Sequence, residues 1–211
     1  PNVAVLRHAA CDLSKVRSGE WWRVVSAMGV HADALHLGAN AAFILAFGWR
    51  AARTFGGGLA WSGTLLAAAS ANVLGVLVFA PPRVSIGAST ATFALLGMLA
   101  GRRLGAIARA RRADTPALPM SSTPGHPLGS WRHNLILYGA VLSLFVMLGV
   151  APETDVLGHF AGLVFGMPVG FLLGHPNRPR MPELAQRLLE LATVALFFWS
   201  WRLALGAGVS P

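Results

Sequence analysis

The stretch DVLGHFAGLVFGMPVGFLLG, residues 155–174, carries only two ionisable side chains, Asp155 and His159, in an otherwise apolar run. Its length matches the roughly 20 residues that an α-helix needs to cross the hydrocarbon core of a bilayer. Glycines recur in it at four-residue spacing, and small residues on one helix face let a neighbouring helix approach closely. The stretch therefore predicts a membrane span packed tightly on another helix. The glycines are Gly158, Gly162, Gly166 and Gly170.

The rest of the chain repeats this apolar character. Its 211 residues are 55% hydrophobic and 12% charged, with a mean hydropathy of +0.58, whereas soluble domains are roughly 25% charged. We therefore expect an all-α, polytopic membrane helical bundle with six spans, and the third span is a candidate neighbour of the glycine face. The other five predicted spans are about 24–48, 58–80, 84–101, 134–151 and 188–208.

The few charges are unevenly distributed. Lys and Arg number 17 against 8 Asp and Glu, which gives a net charge of +9. The arginines lie between apolar runs rather than on one solvated face, which argues against a nucleic-acid-binding protein. They follow the first, third and fifth spans, so the positive-inside rule places those connectors in the cytoplasm and the N-terminus outside. The single cysteine, Cys11, excludes an internal disulfide and a cysteine-based metal cluster.

Ser89 and His159 are ionisable or nucleophilic residues inside predicted spans, where polar side chains are costly and often functional. Both lie a few residues after their spans enter from the same face, at a depth of roughly 6–8 Å. Matched depth is what a nucleophilic serine and its histidine base require, within about 3.5 Å of each other. A serine that bonds to its own helix, and a histidine that only packs, are the simpler alternatives.

A second polar group lies in the first span. His36 and Asn40 are four residues apart and share a helix face. Both can donate hydrogen bonds, which suits an oxyanion hole. His31 points about 140° away on a regular helix, so either the helix begins later, near Leu35, or His31 has another role. A zinc site at His31, His36 and His159 is disfavoured, because no carboxylate stands at metal-ligand spacing and no HExxH motif is present.

Three motifs together resemble the rhomboid intramembrane serine proteases. They are GEWWRVVSAMGVHADALHLGAN at 19–40, GASTATFALLG at 87–97 and GHFAGLVFG at 158–166. The resemblance covers about 19–175 and follows the family in order and spacing. The family's pattern of Trp-Arg, HxxxxHxxxN, GxSx and a histidine with a glycine face falls on Trp22, Arg23, His31, His36, Asn40, Gly87, Ser89, His159, Gly162 and Gly166.

The resemblance implies a catalytic dyad in which Ser89 is the nucleophile and His159 the general base and acid. It implies that His36, Asn40 and the Ser89 backbone N–H hold the oxyanion and that His31 organises the outer loop. It also implies a membrane-embedded loop folded by Trp22-Arg23, transmembrane protein substrates in the lipid bilayer, an active site open to the outer face, and no cofactor or metal.

The sequence departs from the family pattern at three points. Thr90 follows the nucleophile where glycine is most frequent, and Phe93 stands where some members have a tyrosine on the histidine. The HxxxxHxxxN helix comes first, so we expect a fragment that lacks the family's first core helix. The expected division is an extracytoplasmic segment at 1–20, a membrane core at 21–175, and a linker with an additional C-terminal transmembrane helix at 176–211.

Two other functions remain open at this point. One is a catalytically inactive rhomboid-like protein that binds membrane proteins, although it has no need of the complete polar set. The other is a small proton-coupled transporter, which predicts internal repeats that the two halves of the chain do not show. The Ala-, Gly- and Arg-rich composition favours the inner membrane of a high-GC bacterium.

Overall fold

The structure is a computed structural model and describes residues 7–112 and 155–206. It is an all-α membrane-type bundle, as the sequence predicts. The predicted fourth span at 134–151 and most of the long basic connector lie outside the described residues. The elements are β1 (Cys11–Asp12), α1 (Leu13–Arg17), α2 (Arg23–Ser26), a 3₁₀ turn (Ala27–Gly29), α3 (Ala34–Phe55), α4 (Gly57–Val78), β2 (Val84–Ser85), α5 (Ser89–Arg112), α6 (Val156–Leu173) and α7 (Glu183–Gly206).

Among the described residues, four helices are long and apolar enough to cross a membrane: α4, α5, α6 and α7. The predicted span at 24–48 is not one continuous helix, as expected from the sequence, but is broken into two segments. The segment Arg23–Gly29 and α3 meet at 102°, and the two count as a fifth span only if they are taken together. The break follows from Asp33, whose side chain accepts the His36 N–H at 2.7 Å and so starts a new helix at Ala34.

The predicted third span, 84–101, begins later than expected. Residues 84–85 form β2, which pairs antiparallel with β1, and the helix starts at Ser89. Gly87 makes the turn between them with φ +107°, a backbone conformation that favours glycine. The consequence is that Ser89 is the first residue of α5 rather than a residue inside it.

Helices α5 and α6 pack backbone to backbone. Three glycines of α6 and two of α5 face carbonyl groups of the other helix, so that a Cβ on any of them would collide with main-chain atoms. The glycine face of 155–174 therefore packs on the predicted third span, as expected. The facing pairs are Gly162 with Thr90, Gly166 with Ala94, Gly170 with Met98, Gly97 with Leu163 and Gly101 with Met167.

A buried arginine holds the N-terminal segment against the end of the bundle where α5 begins. Arg23 is 2% exposed and donates to the carbonyls of Ala10 and Arg7, both at 2.8 Å. Its Nε also donates to the Glu20 carboxylate at 2.7 Å. Together with the β1–β2 pairing, these bonds place residues 7–17 beside the loop that leads into α5.

Helix α7 is attached to the bundle at both ends. At its start, the Gln186 side chain accepts the Leu59 N–H at 3.0 Å and donates to the Phe55 carbonyl at 3.3 Å, in the turn between α3 and α4. Near its other end, the Trp201 ring lies against Gly29. Helix α7 thereby runs along the bundle from the α3–α4 turn to the segment before His31.

Candidate active site

Ser89 and His159 meet at the start of α5 and α6. Ser89 Oγ and His159 Nε2 are 2.5 Å apart, and the two residues are 5% and 3% exposed. With Nε2 unprotonated, the serine hydroxyl donates to the imidazole, which is the orientation needed for proton transfer. The neighbouring contact between Gly162 and the Thr90 carbonyl fixes how closely these two helices approach.

The His159 ring is held by stacking rather than by a third polar residue. Phe93, which is fully buried, stacks on the imidazole with ring centroids 4.7 Å apart and planes inclined by 19°. The other ring nitrogen, Nδ1, has no hydrogen-bond partner within the described residues. In the described part of the chain, the arrangement is therefore a serine–histidine pair, not a triad with a carboxylate.

Asp155 joins the loop before Ser89 to the helix that carries His159. Its carboxylate caps α6 by accepting the Gly158 N–H at 3.0 Å. It also accepts from the Ser85 hydroxyl at 2.6 Å and the Arg83 guanidinium at 2.9 Å. Burial by itself raises the pKa of this carboxyl, but the bonds from Ser85 and Gly158 and the charge of Arg83 outweigh it, so the pKa lies below its ordinary value.

We call these contacts of Asp155 with Ser85, Arg83 and the Gly158 N–H the Asp155 clamp, and sequence reasoning missed it. Asp155 was identifiable as a residue at the start of a span, and an aspartate three residues before a helical glycine N–H is a capping pattern. Arg83 and Ser85, however, lie about seventy residues earlier, and no spacing in the sequence relates them to Asp155.

Two contacts position the turn at Gly87. The Gly87 N–H donates to the Ala27 carbonyl at 3.0 Å, and the Ala88 N–H donates to His31 Nε2 at 3.4 Å. His31 therefore contacts the backbone next to Ser89, while its ring packs edge-to-face on His36 at 5.2 Å between centroids. This geometry follows from α3 starting at Ala34, after His31.

His36 presents a donor beside the serine. Its Nδ1 accepts the Ala32 N–H at 3.4 Å, which leaves Nε2 as the protonated nitrogen. A Cβ placed on Gly87 would lie 2.9 Å from His36 Nε2 and 3.6 Å from Ser89 Oγ, so both atoms border the same small space. An N–H donor at that position can stabilise negative charge that develops on a substrate oxygen.

Asn40 is more deeply placed. It is 1% exposed, and its Nδ2 donates to the His36 carbonyl one turn earlier at 3.0 Å. Its Oδ1 has no hydrogen-bond partner among the residues that the structure describes. One of the two amide hydrogens is thus used on α3 itself, and the second remains for another acceptor.

Trp22 and Arg23 contact the N-terminal segment rather than Ser89. Arg23 binds its carbonyls, as described above, and Trp22 packs edge-to-face on Trp21 with centroids 6.3 Å apart. Within residues 7–112 and 155–206, no group of three or more His, Cys, Asp or Glu side chains is arranged to hold a metal ion.

The groups gathered here are of the kinds that acyl transfer uses. The site brings together a hydroxyl, an imidazole nitrogen and a neighbouring N–H donor, and the hydroxyl lies at the N-terminus of a long helix. Free backbone N–H groups and the helix dipole favour developing negative charge there.

Comparison with known proteins gives a family assignment for most of the chain. A family model described as the rhomboid domain matches residues 18–176. The chain is 27% identical over 175 residues to RHOMBOID-like protein 5 of Arabidopsis thaliana, covering 82% of this chain and 51% of that protein. It is 28% identical over 174 residues to Rhomboid-like protease 1 of Toxoplasma gondii, covering 82% and 54%.

A mitochondrial relative, RHOMBOID-like protein 6 of Arabidopsis thaliana, is 28% identical over 168 residues, covering 78% of this chain and 48% of that protein. The chain thus spans about half the length of the curated relatives it matches. No solved structure gives a significant match.

Proposed function

The chain belongs to the rhomboid family, and we propose that it is a serine endopeptidase that cleaves transmembrane segments of other membrane proteins. The observation that carries the proposal is the 2.5 Å contact between Ser89 Oγ and His159 Nε2. Ser89 is the first residue of α5, and its hydroxyl meets a buried histidine on a different helix, which is the pairing that a nucleophile and its base require.

In the proposed mechanism, His159 Nε2 takes the Ser89 hydroxyl proton as Oγ attacks the scissile carbonyl carbon. His159 then gives that proton to the leaving amine, which releases one product and leaves an acyl ester on Ser89. Water, activated by the same imidazole, hydrolyses the ester and restores the serine. Phe93 keeps the ring in plane during both transfers through its stacking contact.

The tetrahedral intermediate carries negative charge on the former carbonyl oxygen. We assign its stabilisation to the Ser89 backbone N–H, His36 Nε2–H and the second Asn40 amide hydrogen. His36 is supported by the geometry at Gly87, where its Nε2 and Ser89 Oγ border one space. His31 acts indirectly, by binding the Ala88 N–H and so fixing the turn before the nucleophile.

The protein is an integral, multi-pass membrane protein by family and by its apolar helices. The end of the bundle that carries Ser89 also carries the folded N-terminal segment, and we propose that this end faces the outer side, where water enters. The division into a segment at 1–20, a core at 21–175 and an additional helix beyond 176 is part of this proposal. The bacterial cell membrane stays a prediction from composition, since the relatives include a mitochondrial protein.

The proposal is tested with the chain in lipid vesicles and a fluorescent reporter that contains one transmembrane segment. We expect cleavage by the unaltered chain and no cleavage above background by Ser89→Ala or His159→Ala. Ser62→Ala is the matched control, because the Ser62 hydroxyl bonds to the Gly58 carbonyl of its own helix at 2.6 Å. Cleavage that survives Ser89→Ala contradicts the dyad. A folded chain that binds the reporter without cutting it supports the inactive rhomboid-like alternative.

A further inference from the structure

A second site lies at the end of the bundle opposite Ser89. A cavity of about 660 Å³ opens between the α3–α4 turn, the end of α6, the connector 174–182 and the start of α7. This volume falls within the roughly 300–1,000 Å³ of pockets that hold small ligands. The proposed protease mechanism uses none of its residues.

The cavity wall has an excess of positive charge. Its acidic residues, Glu183 and Glu190, both pair with one lining arginine, Arg187, at 3.6 Å and 3.2 Å. Four other arginines of the wall have no carboxylate within 4.0 Å among the described residues. Positive charges that line one cavity make it attractive to an anion. These four are Arg53, Arg102, Arg178 and Arg180.

The position of the cavity corresponds to the level of lipid headgroups. The helices α3, α4, α6 and α7 each begin or end at its wall, so it lies where the apolar spans stop. Trp49, 63% exposed on α3, carries the Arg53 guanidinium 5.4 Å above its ring, and exposed tryptophans are typical of the membrane–water boundary. Leu172 and Leu184, next to cavity residues in the chain, are 68% and 71% exposed and provide apolar surface for acyl chains.

We propose that this cavity binds the phosphate group of an anionic phospholipid. Guanidinium groups bind phosphate oxygens through paired N–H donors, and basic pockets between membrane helices are suited to anionic headgroups. A phosphodiester that is anchored by its acyl chains is held at this level at high local concentration, whereas free phosphate is not. The site is independent of the Ser89–His159 pair.

The experiment measures lipid retention by native mass spectrometry on the purified full chain. The probes are dioleoyl phosphatidylglycerol, dioleoyl phosphatidylcholine and inorganic phosphate. The test variant is Arg53→Gln with Arg102→Gln. The control is Arg7→Gln with Arg202→Gln, which removes the same charge from two exposed arginines outside the cavity wall. Melting temperatures of both variants establish that they fold.

We expect phosphatidylglycerol to bind the unaltered chain at least about tenfold more tightly than phosphatidylcholine, and the test variant to lose about tenfold in affinity. The control should stay within about twofold. An equal loss in the control overturns the proposal, because it indicates general charge attraction. Inorganic phosphate that binds as tightly as the lipid, and is lost in the same variant, overturns the lipid as the source of the phosphate.

Discussion

Helix α6 and helix α7 are both long and apolar, yet they join the bundle in different ways. Helix α6 contacts α5 through five glycine positions at which a Cβ would collide with main-chain atoms of the other helix. Helix α7 has one such position, Gly58 against the Gln186 carbonyl, and is otherwise attached through the long side chains of Gln186 and Trp201. Only 11% of the apolar stretch of α7 is buried, compared with 33% for α6.

The difference shows where the fold has to be rigid. A pair of residues on two helices keeps a 2.5 Å contact only if the helices cannot slide or separate. Backbone-to-backbone packing allows less movement than packing through flexible side chains, since there is no rotamer to adjust. Ser89 and His159 lie at one end of the rigid contact, and neither lies on α7.

The largest expected effect is at the rigid contact. In Gly166→Val, the added Cβ collides with the Ala94 carbonyl, so α6 must shift. We expect the free energy of unfolding to fall by about 3 kcal/mol and reporter cleavage to fall by about 100-fold or more, because reacting groups tolerate little displacement. Thermal denaturation and cleavage rates measure both.

Gly75→Val is the control for this substitution. Gly75 is in the interior of α4, and a Cβ there meets nothing within 4 Å, so both quantities should stay near their original values. If Gly75→Val is as damaging as Gly166→Val, the effect belongs to valine in a helix and not to the contact with α5.

The next effect in size is at Asp155. Asp155→Ala removes a helix cap and the bonds to Ser85 and Arg83, which should cost about 1–3 kcal/mol of stability. We also expect cleavage to decrease, because the loop before Ser89 is no longer tied to α6. Asp155→Asn keeps the cap but loses the ion pair with Arg83. Its stability and cleavage rate should therefore lie between those of the unaltered chain and those of Asp155→Ala.

The same carboxylate predicts a pH dependence. Its pKa is lowered in the folded protein, so its stabilisation is complete above the ordinary value of 3.8 and is lost as the pH falls through the lower folded pKa. Between about pH 5 and pH 3, the unaltered chain should therefore lose more stability than Asp155→Asn. Asp33→Asn, at the cap of α3, is the matched control. If the unaltered chain and Asp155→Asn lose the same stability over this pH range, the Asp155 carboxylate is not the source of the pH dependence.

The smallest effect is expected at α7. Gln186→Ala removes two hydrogen bonds to the α3–α4 turn, which should lower stability by about 1–2 kcal/mol and leave cleavage within about twofold. Thr193→Ala, which loses only a bond within α7, should be nearly neutral. A loss of cleavage in Gln186→Ala that is as large as in Gly166→Val would remove the distinction between the two helices.

Much of this architecture is predictable from local sequence. The glycine spacing in 155–174 predicted a tight helix contact, because periodicity places those residues on one face. The later start of α3 was one of two alternatives, and Asp33 decides it through a bond to a residue three positions on. Both features depend on neighbours in the sequence.

The remaining features depend on distant contacts with backbone groups or with single side chains. Arg23 binds carbonyls of residues 7 and 10, and every residue has a carbonyl, so the sequence contains no sign of the partner. The Asp155 clamp and the Gln186 contacts likewise join segments more than 65 residues apart. The basic cavity could not be predicted, because its arginines are far apart in the sequence. They meet only because the ends of four helices lie together in the fold.

In the proposed mechanism His159 activates Ser89, and covalent labelling of the serine tests this activation. The unaltered chain in detergent is treated with a fluorophosphonate, and intact-mass and peptide mass spectrometry locate the adduct. We expect one adduct on Ser89 and its near absence in His159→Ala, while His175→Ala, at an exposed histidine outside the site, labels normally. Equal labelling of Ser89 with and without His159, or labelling at another serine, would contradict activation of Ser89 by His159.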